Sequence, residues 1–541
     1  MSRIKLEQFR RSRKYSNLRA ATSTRLAGFG ALFFIALITL GAFVALMTKA
    51  SKGFAISDTL SDAYLGHIIG FTLWQATLST LLSVGLAIPT ARAFARQTAF
   101  SGRDSLLKLF ALPLALPALV GVLAILGLWG RSGWINQLTG NLADFSIFGL
   151  PGILIAHVFF NLPLATRLFL TSLERIPVEN WQLASQLQMP ARSIFKFIEW
   201  PVLKTVLPGI LALVFMLCLT SFTIVLTLGG GPASTTLEVA IYQSLRFDFD
   251  PGRAVTLALI QLAITILLLA VSFRFTKTLP DIISLKSAAT RLDANAFSAR
   301  LIDSGFIVAA GCFVALPLLA LVVDGLSADL AKLLSSSAVL NAIITSFVLA
   351  LAAAILNFAL CWLMLKAIDD QNGIFARLVG FASSAILVMP AIVLGSGWFI
   401  FLHGVGDVFS FAPVLVIVIN ALMALPFTHR ILAPALAQTR HKHARLTASL
   451  GITGWARWRL IDFPTLKKPM LLAFAFAMAL SLGDLGVIAL FGSEQITTLP
   501  LLLFKSLGSY RTHDAQGLAL LLATSCFLIL YAAEKFSRIN T

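Results

Sequence analysis

Charged residues are scarce in this sequence. They make up 12% of its 541 residues, where a soluble domain carries about a quarter. With 58% hydrophobic residues, the chain has too little polar surface to cover a large water-facing fold. Acid is scarcer still, 24 Asp and Glu against 42 Lys and Arg. Cysteine is nearly absent: Cys218, Cys312, Cys361 and Cys526 all fall within apolar runs, and none makes a C-x-x-C pair. That excludes a disulfide framework and a cysteine metal centre, and the four read as small hydrophobes. The His441–Lys442–His443 run is alone too little for a metal site. Gly-Lys followed by Ser or Thr, the tripeptide of a phosphate-cradling loop, is also missing. No obvious soluble domain could house a nucleotide site. The chain is therefore expected not to be an enzyme, and to need no cofactor or metal of its own.

What the sequence has instead is long apolar runs. Twelve spans are expected, near 28–47, 67–89, 107–129, 148–170, 205–228, 255–273, 304–323, 338–364, 378–401, 411–429, 470–491 and 515–533. Several reach about 20 residues, the length that crosses a bilayer as helix. Barrel strands are excluded because they alternate polar and apolar residues and are about half as long. In lipid the backbone must bond to itself, so the spans are helices. The fold class is all-α, a polytopic membrane protein. The basic first 25 residues lead into a full-length span, which fits a retained first helix rather than a cleaved signal.

The net charge of +18 could suggest nucleic acid, but its distribution argues otherwise. With the N-terminus placed in the cytoplasm, most Lys and Arg residues fall on the cytoplasmic side of alternating spans, the positive-inside bias. Orientation and attraction to anionic membrane lipid account for the basicity; nucleic acid is not an expected partner.

The chain echoes itself. Pro464 lies 263 residues after Pro201, as do Ile461 after Ile198, Pro426 after Pro163 and Arg430 after Arg167. Thr235-Thr236-Leu237 returns as Thr497-Thr498-Leu499 at an offset of 262. This predicts a duplicated unit of about six spans. The first half is 1–275 with a loop at 172–204, the linker is 276–303, and the second half is 304–541 with a loop at 430–469. An even number of crossings puts both halves the same way up. Both loops, and both termini, are then expected in the cytoplasm.

The clearest echo sets FKFIEWP (195–201) against WRLIDFP (458–464). Each position keeps its type: aromatic, basic, apolar, isoleucine, acid, aromatic, proline. Upstream, Leu183, Ala184, Ser185 and Leu187 match Leu446, Thr447, Ala448 and Leu450, which predicts a short helix. Gly451 supplies the left-handed residue that ends it in the second copy. In the first copy Gln188 stands there, and Pro190 is expected to provide the stop. Amphipathic helices resting on lipid would explain the composition, but not the recurrence.

These segments resemble the cytoplasmic loop signature of ABC-importer permeases: Glu-Ala-Ala, two residues, Leu-Gly, nine residues, Ile, and Pro three further on. The Leu-Gly places are Leu187-Gln188 and Leu450-Gly451; the Ile and Pro places are Ile198 with Pro201 and Ile461 with Pro464. The first triplet is degraded to Gln182-Leu183-Ala184 and Arg445-Leu446-Thr447. Longer stretches, HVFFNLPLATRLFL (157–170), LTLGGGPASTTLEVAIYQ (226–243) and LSLGDLGVIALFG (480–492), carry the resemblance to the fused two-half permeases for thiamine and its phosphates. The resemblance implies an inner-membrane transport subunit working by alternating access. It implies two ATP-binding cassette subunits docked on the loops, and a periplasmic solute-binding protein. Iron(III) permeases share the fused plan and are the rival. A two-half secondary transporter is the other class, but the 91–105 loop lacks the Gly-x-x-x-Asp-Arg pattern of the major facilitator group.

Asp484 lies inside a span. A carboxylate there costs about 2.5–3.5 kcal/mol on insertion scales. Two readings stay open: a polar contact between helices, or a lining of the path that favours a cationic solute. His157 is expected to make a structural hydrogen bond.

Overall fold

The computed structural model describes residues 3–50, 62–139, 146–275, 291–294, 296–368, 373–386, 389–404, 406–452, 454–493 and 496–538. Their regular structure is helical, with no strand among the described residues. The helices used below are α1 (Arg3–Ala50), α2 (Ala63–Arg96), α3 (Ala118–Trp129), α4 (Leu150–Leu173), α5 (Val178–Gln186), α6 (Trp200–Leu219), α7 (Phe222–Leu228), α8 (Leu237–Arg246) and α9 (Pro251–Phe275). They continue as α10 (Phe297–Ser327), α11 (Ser337–Lys366), α12 (Ile374–Ala385), α13 (Ala391–His403), α14 (Val408–Ser449), α15 (Phe463–Leu482), α16 (Gly486–Phe491), α17 (Leu499–Gly508) and α18 (Thr512–Arg538).

Among the described residues, 11 helices are long and apolar enough to cross a membrane. Of the twelve expected spans, the one at 378–401 is replaced by α12 and α13, of 12 and 13 residues, and the one at 107–129 is broken into Arg103–Leu109, Leu112–Ala115 and α3. Pro390 stands at the start of α13. It has no N–H to give and disfavours helix at the residue before it. Pro117 stands in the same way before α3. Of the expected linker, residues 276–290 and 295 lie outside the described residues.

The helices gather into two compact units. One holds residues 1–54, 334–502 and 524–541; the other holds 55–333 and 503–523. In the first, α11, α14 and α15 meet on Ala354, Ala424 and Ala477, with Phe474 and Met478 closing over them. Small side chains let helices approach where lipid offers no hydrophobic drive. α1 packs on α11 and α13 in this unit. Its approach is close: a Cβ on Gly397 would sit 2.5 Å from the Ala42 carbonyl oxygen. The Trp398 indole N–H donates to the Ile38 carbonyl at 3.0 Å.

In the second unit α2 lies along α4, flanked by α6 and α10. Several of its buried polar groups bond to one another. His157, 1% exposed, bridges the Ser79 hydroxyl at 2.8 Å and the Ser221 hydroxyl at 2.7 Å. The Gln75 amide donates to the Cys218 carbonyl at 3.1 Å.

The recurring Thr-Thr-Leu segments make like hydrogen bonds. The Leu237 N–H, opening α8, donates to the Thr72 hydroxyl at 3.0 Å. The Leu499 N–H, opening α17, donates to the Ser346 hydroxyl at 2.7 Å.

Candidate functional site

The first loop runs from α5 to α6. α5 ends in a turn where the Met189 N–H reaches back to the Ala184 carbonyl at 3.0 Å. In the second copy, at the end of α14, the Ile452 N–H reaches the Thr447 carbonyl at 3.1 Å. Gly451 takes φ +60, as the sequence predicts, but Gln188 takes φ +46 as well. The stop expected from Pro190 alone is thus the same left-handed turn in both copies. An asparagine or glycine is the usual occupant; glutamine holds it here because the following backbone bond fixes it.

The two copies differ in what precedes the turn. α14 runs unbroken for 42 residues into the loop. In the first copy, α4 ends at Leu173 and α5 is a separate helix begun at Pro177. Pro177 stands at the place of Arg440 in the second copy. Arg440 donates to the carbonyls of Ile368 and Leu365.

The sequence-predicted residues divide by exposure. Gln182, Leu187, Gln188, Arg445, Leu450, Pro201 and Pro464 are exposed. Ala184, Thr447 and Ile461 are buried, and Ile198 and Gly451 are half-buried. Leu183 and Leu187 are 55% and 64% exposed, and their matches Leu446 and Leu450 are 48% and 63% exposed. Each copy therefore presents an apolar pair one helical turn apart.

Beyond the turn, both copies form a wide π-helical turn, Phe195–Glu199 and Trp458–Asp462. It brings the acid inward. Glu199 is fully buried and Asp462 is 2% exposed. Glu199 accepts from Arg92 Nε at 2.6 Å, and the Arg92 guanidinium lies 4.8 Å from the Phe195 ring centroid. Asp462 accepts from Lys366 Nζ at 2.8 Å, and that ammonium lies 5.4 Å from the Trp458 ring centroid. Arg92 and Lys366 stand near the C-terminal ends of α2 and α11. In each copy the motif's first aromatic and its acid close on one base. A buried carboxylate needs such a partner. Glu199 and Asp462 lie outside the residues that the loop signature marks. Their signal was an acid kept in place among basic neighbours in a chain short of acids.

Around Glu199 the network is larger. Arg291 donates to Glu199 Oε1 at 2.5 Å and to both Asp293 oxygens at 3.1 and 3.0 Å. Its guanidinium lies 4.0 Å from the Trp181 ring centroid on α5. Burial works to lower the Arg291 pKa, but the Asp293 and Glu199 carboxylates outweigh it and hold it above its ordinary value. Arg96 contacts Asp293 and Asp303, each at 3.3 Å.

Asp484 sits at a break between α15 and α16. Its two oxygens accept the N–H groups of Gly486 at 3.1 Å and Val487 at 3.2 Å. The carboxylate thus caps the start of α16, where unpaired donors favour an anion. The buried Asn420 amide donates to the Ser481 hydroxyl nearby at 3.0 Å.

A scan against protein-family models finds no match. Among individual proteins, the chain is 47% identical over 524 residues to the thiamine transport system permease protein ThiP of Brucella abortus (strain 2308), covering 96% of each. It is 41% identical over 517 residues to the protein of that name from Escherichia coli (strain K12), covering 94% of this chain and 96% of that one. A sulfate transport system permease protein, CysW of Synechococcus elongatus, is 30% identical over 145 residues, 27% of this chain. Together with the 11 apolar helices, these relatives define the class: a multi-pass membrane permease, a transport subunit rather than an enzyme. Within that class, the chain belongs to the family of thiamine transport system permease proteins.

Proposed function

We propose that this chain is the passage through which thiamine, with its phosphate esters, enters the cytoplasm in an ATP-driven importer of the bacterial inner membrane. The observation that carries the substrate is identity of 38–47% to thiamine permeases from several bacteria, over 87–96% of the chain. An iron(III) permease of the same plan is the rival this weighs against.

The halves 1–275 and 304–541 supply one coupling loop each, joined by the 276–303 linker. With the basic residues placed inside, both loops and both termini face the cytoplasm. Two ATP-binding cassette subunits grip the loops through Gln182, Ala184, Leu187 and Gln188 in one copy and Arg445, Thr447, Leu450 and Gly451 in the other. The exposed leucine pairs suit an apolar groove on such a subunit. Ile198 with Pro201 and Ile461 with Pro464 set the root of each loop. The chain has no Gly-Lys-Ser/Thr tripeptide, so hydrolysis falls to the partner subunits. Closure on ATP draws the loops together, opens the outer mouth to a loaded periplasmic binding protein, and reverses on hydrolysis. Asp484 lines the path in this reading and favours a cation.

The test is reconstitution in vesicles with both partners. ATPase stimulation and solute accumulation are expected with thiamine-loaded binding protein and not with an iron-loaded one. The reverse preference would reassign the substrate, and accumulation without ATPase subunits would end the importer reading.

A further inference from the structure

We infer that the turn Leu292–Ala294, with Arg291 before it and Asp303 of α10 beyond it, is a brace for the first coupling loop, and that Arg291 is the residue through which it acts. This rests on the reading of α5 as the helix that meets an ATPase subunit.

The first loop helix is poorly held by its own surroundings. Ala184 is the one buried residue of α5. A cavity of about 460 Å³ opens beside it, with Trp181, Ala184, Gln188, Arg291 and Ile302 among its walls. The break at Pro177 removes the stiff connection that α14 gives the second loop. A force applied to α5 therefore has no continuous helix along which to reach the membrane.

Arg291 supplies the missing connection. Its guanidinium stacks over Trp181 of α5 at 4.0 Å and donates to Glu199 at the root of α6 at 2.5 Å. One planar cation thus ties the loop helix to the spanning helix that follows it. A guanidinium suits this task because it can stack on a ring and fork to carboxylates at once. Arg291 is itself fixed by Asp293, which Arg96 of α2 touches at 3.3 Å. Arg96 and Gln97 then hold Asp303 at 3.3 and 2.9 Å at the start of α10. Arg92, Arg96 and Arg291 balance Glu199, Asp293 and Asp303, so the network buries no net charge. In the second copy, the partners of Asp462 among the described residues are Lys366 and Arg457, from the same half.

Arg291 is a positioning residue, and its loss should appear in coupling. The full chain, assembled with its ATPase subunits and binding protein, is reconstituted, and radiolabelled thiamine delivered per ATP hydrolysed is measured for equal amounts of complex. R291Q is expected to lower that ratio about tenfold, a coupling loss of about 1.4 kcal/mol. R291K should recover part of it, because an ammonium serves the matching acid Asp462. Should R291Q assemble poorly, R291Q/E199Q removes both charges and is read instead, with the same fall expected. A wild-type ratio in these variants, while Leu187→Glu on α5 abolishes coupling, overturns the brace and leaves the loop reading standing. A wild-type ratio in L187E as well overturns the loop reading, and the brace with it.

Discussion

Gln188 and Gly451 occupy one backbone conformation with unequal ease. A side chain in the left-handed region costs roughly 1–2 kcal/mol, and glycine returns roughly half of that as lost chain entropy. Gln188→Gly should therefore stabilise the protein by about 0.5–1 kcal/mol, and Gly451→Gln should destabilise it by a similar amount. The unfolding midpoint of the purified protein in detergent measures both. The sequence marked the position in both copies but gave it a conformation only where glycine stands, because a glutamine carries no sign of φ. Asp484 separates charge from capping. Asparagine keeps one acceptor oxygen but sets an amide NH2 against the second N–H, so Asp484→Asn should lower the amount of assembled protein somewhat, and uptake is compared for equal amounts of it. If the carboxylate draws a cation along the path, thiamine uptake falls in that variant. Unchanged uptake would leave Asp484 as the cap of α16 alone.

Between residues and molecule, the element that matters is the π-helical turn ahead of each spanning helix. Pro201 and Pro464 follow these turns at once. Proline cannot donate to the carbonyl four residues back and crowds it, so a wider turn relieves both faults. Its result is to aim Glu199 and Asp462 inward, Glu199 onto Arg92 of α2 and Asp462 onto Lys366 of α11. Lys366→Met leaves the Asp462 carboxylate with Arg457 alone, and should cost about 2–3 kcal/mol because its partner charge stays buried. Asp462→Leu together with Lys366→Met removes both charges and should recover most of that. The yield and melting temperature of the two variants decide it, and a double variant no better than the single one would deny that the pair acts as a pair. The motif's aromatic, acid and proline were readable as a recurring pattern. Their joint purpose was not, because Arg92 and Lys366 lie about a hundred residues upstream and nothing local points to them.

At the scale of the whole molecule, the expected topology predicts that cysteines placed at positions 188 and 451 react with a membrane-impermeant thiol reagent from the cytoplasmic side only. Reaction of the two from opposite sides would remove the coupling reading. The sequence alone determined the all-α class, most of the apolar spans and the recurring segments. Those properties are written in composition and spacing, which need no third dimension: 20 apolar residues must be helix in lipid wherever they pack. Tertiary structure alone decided that α1 packs with helices of the second repeat and α10 with those of the first. It also decided that the span expected at 378–401 is two short helices, and that three bases and three acids, scattered from Arg92 to Asp303, meet beneath α5. Ion pairs and helix contacts depend on which distant segments arrive at one place. A chain records its neighbours in sequence, while its neighbours in space exist only once it is folded.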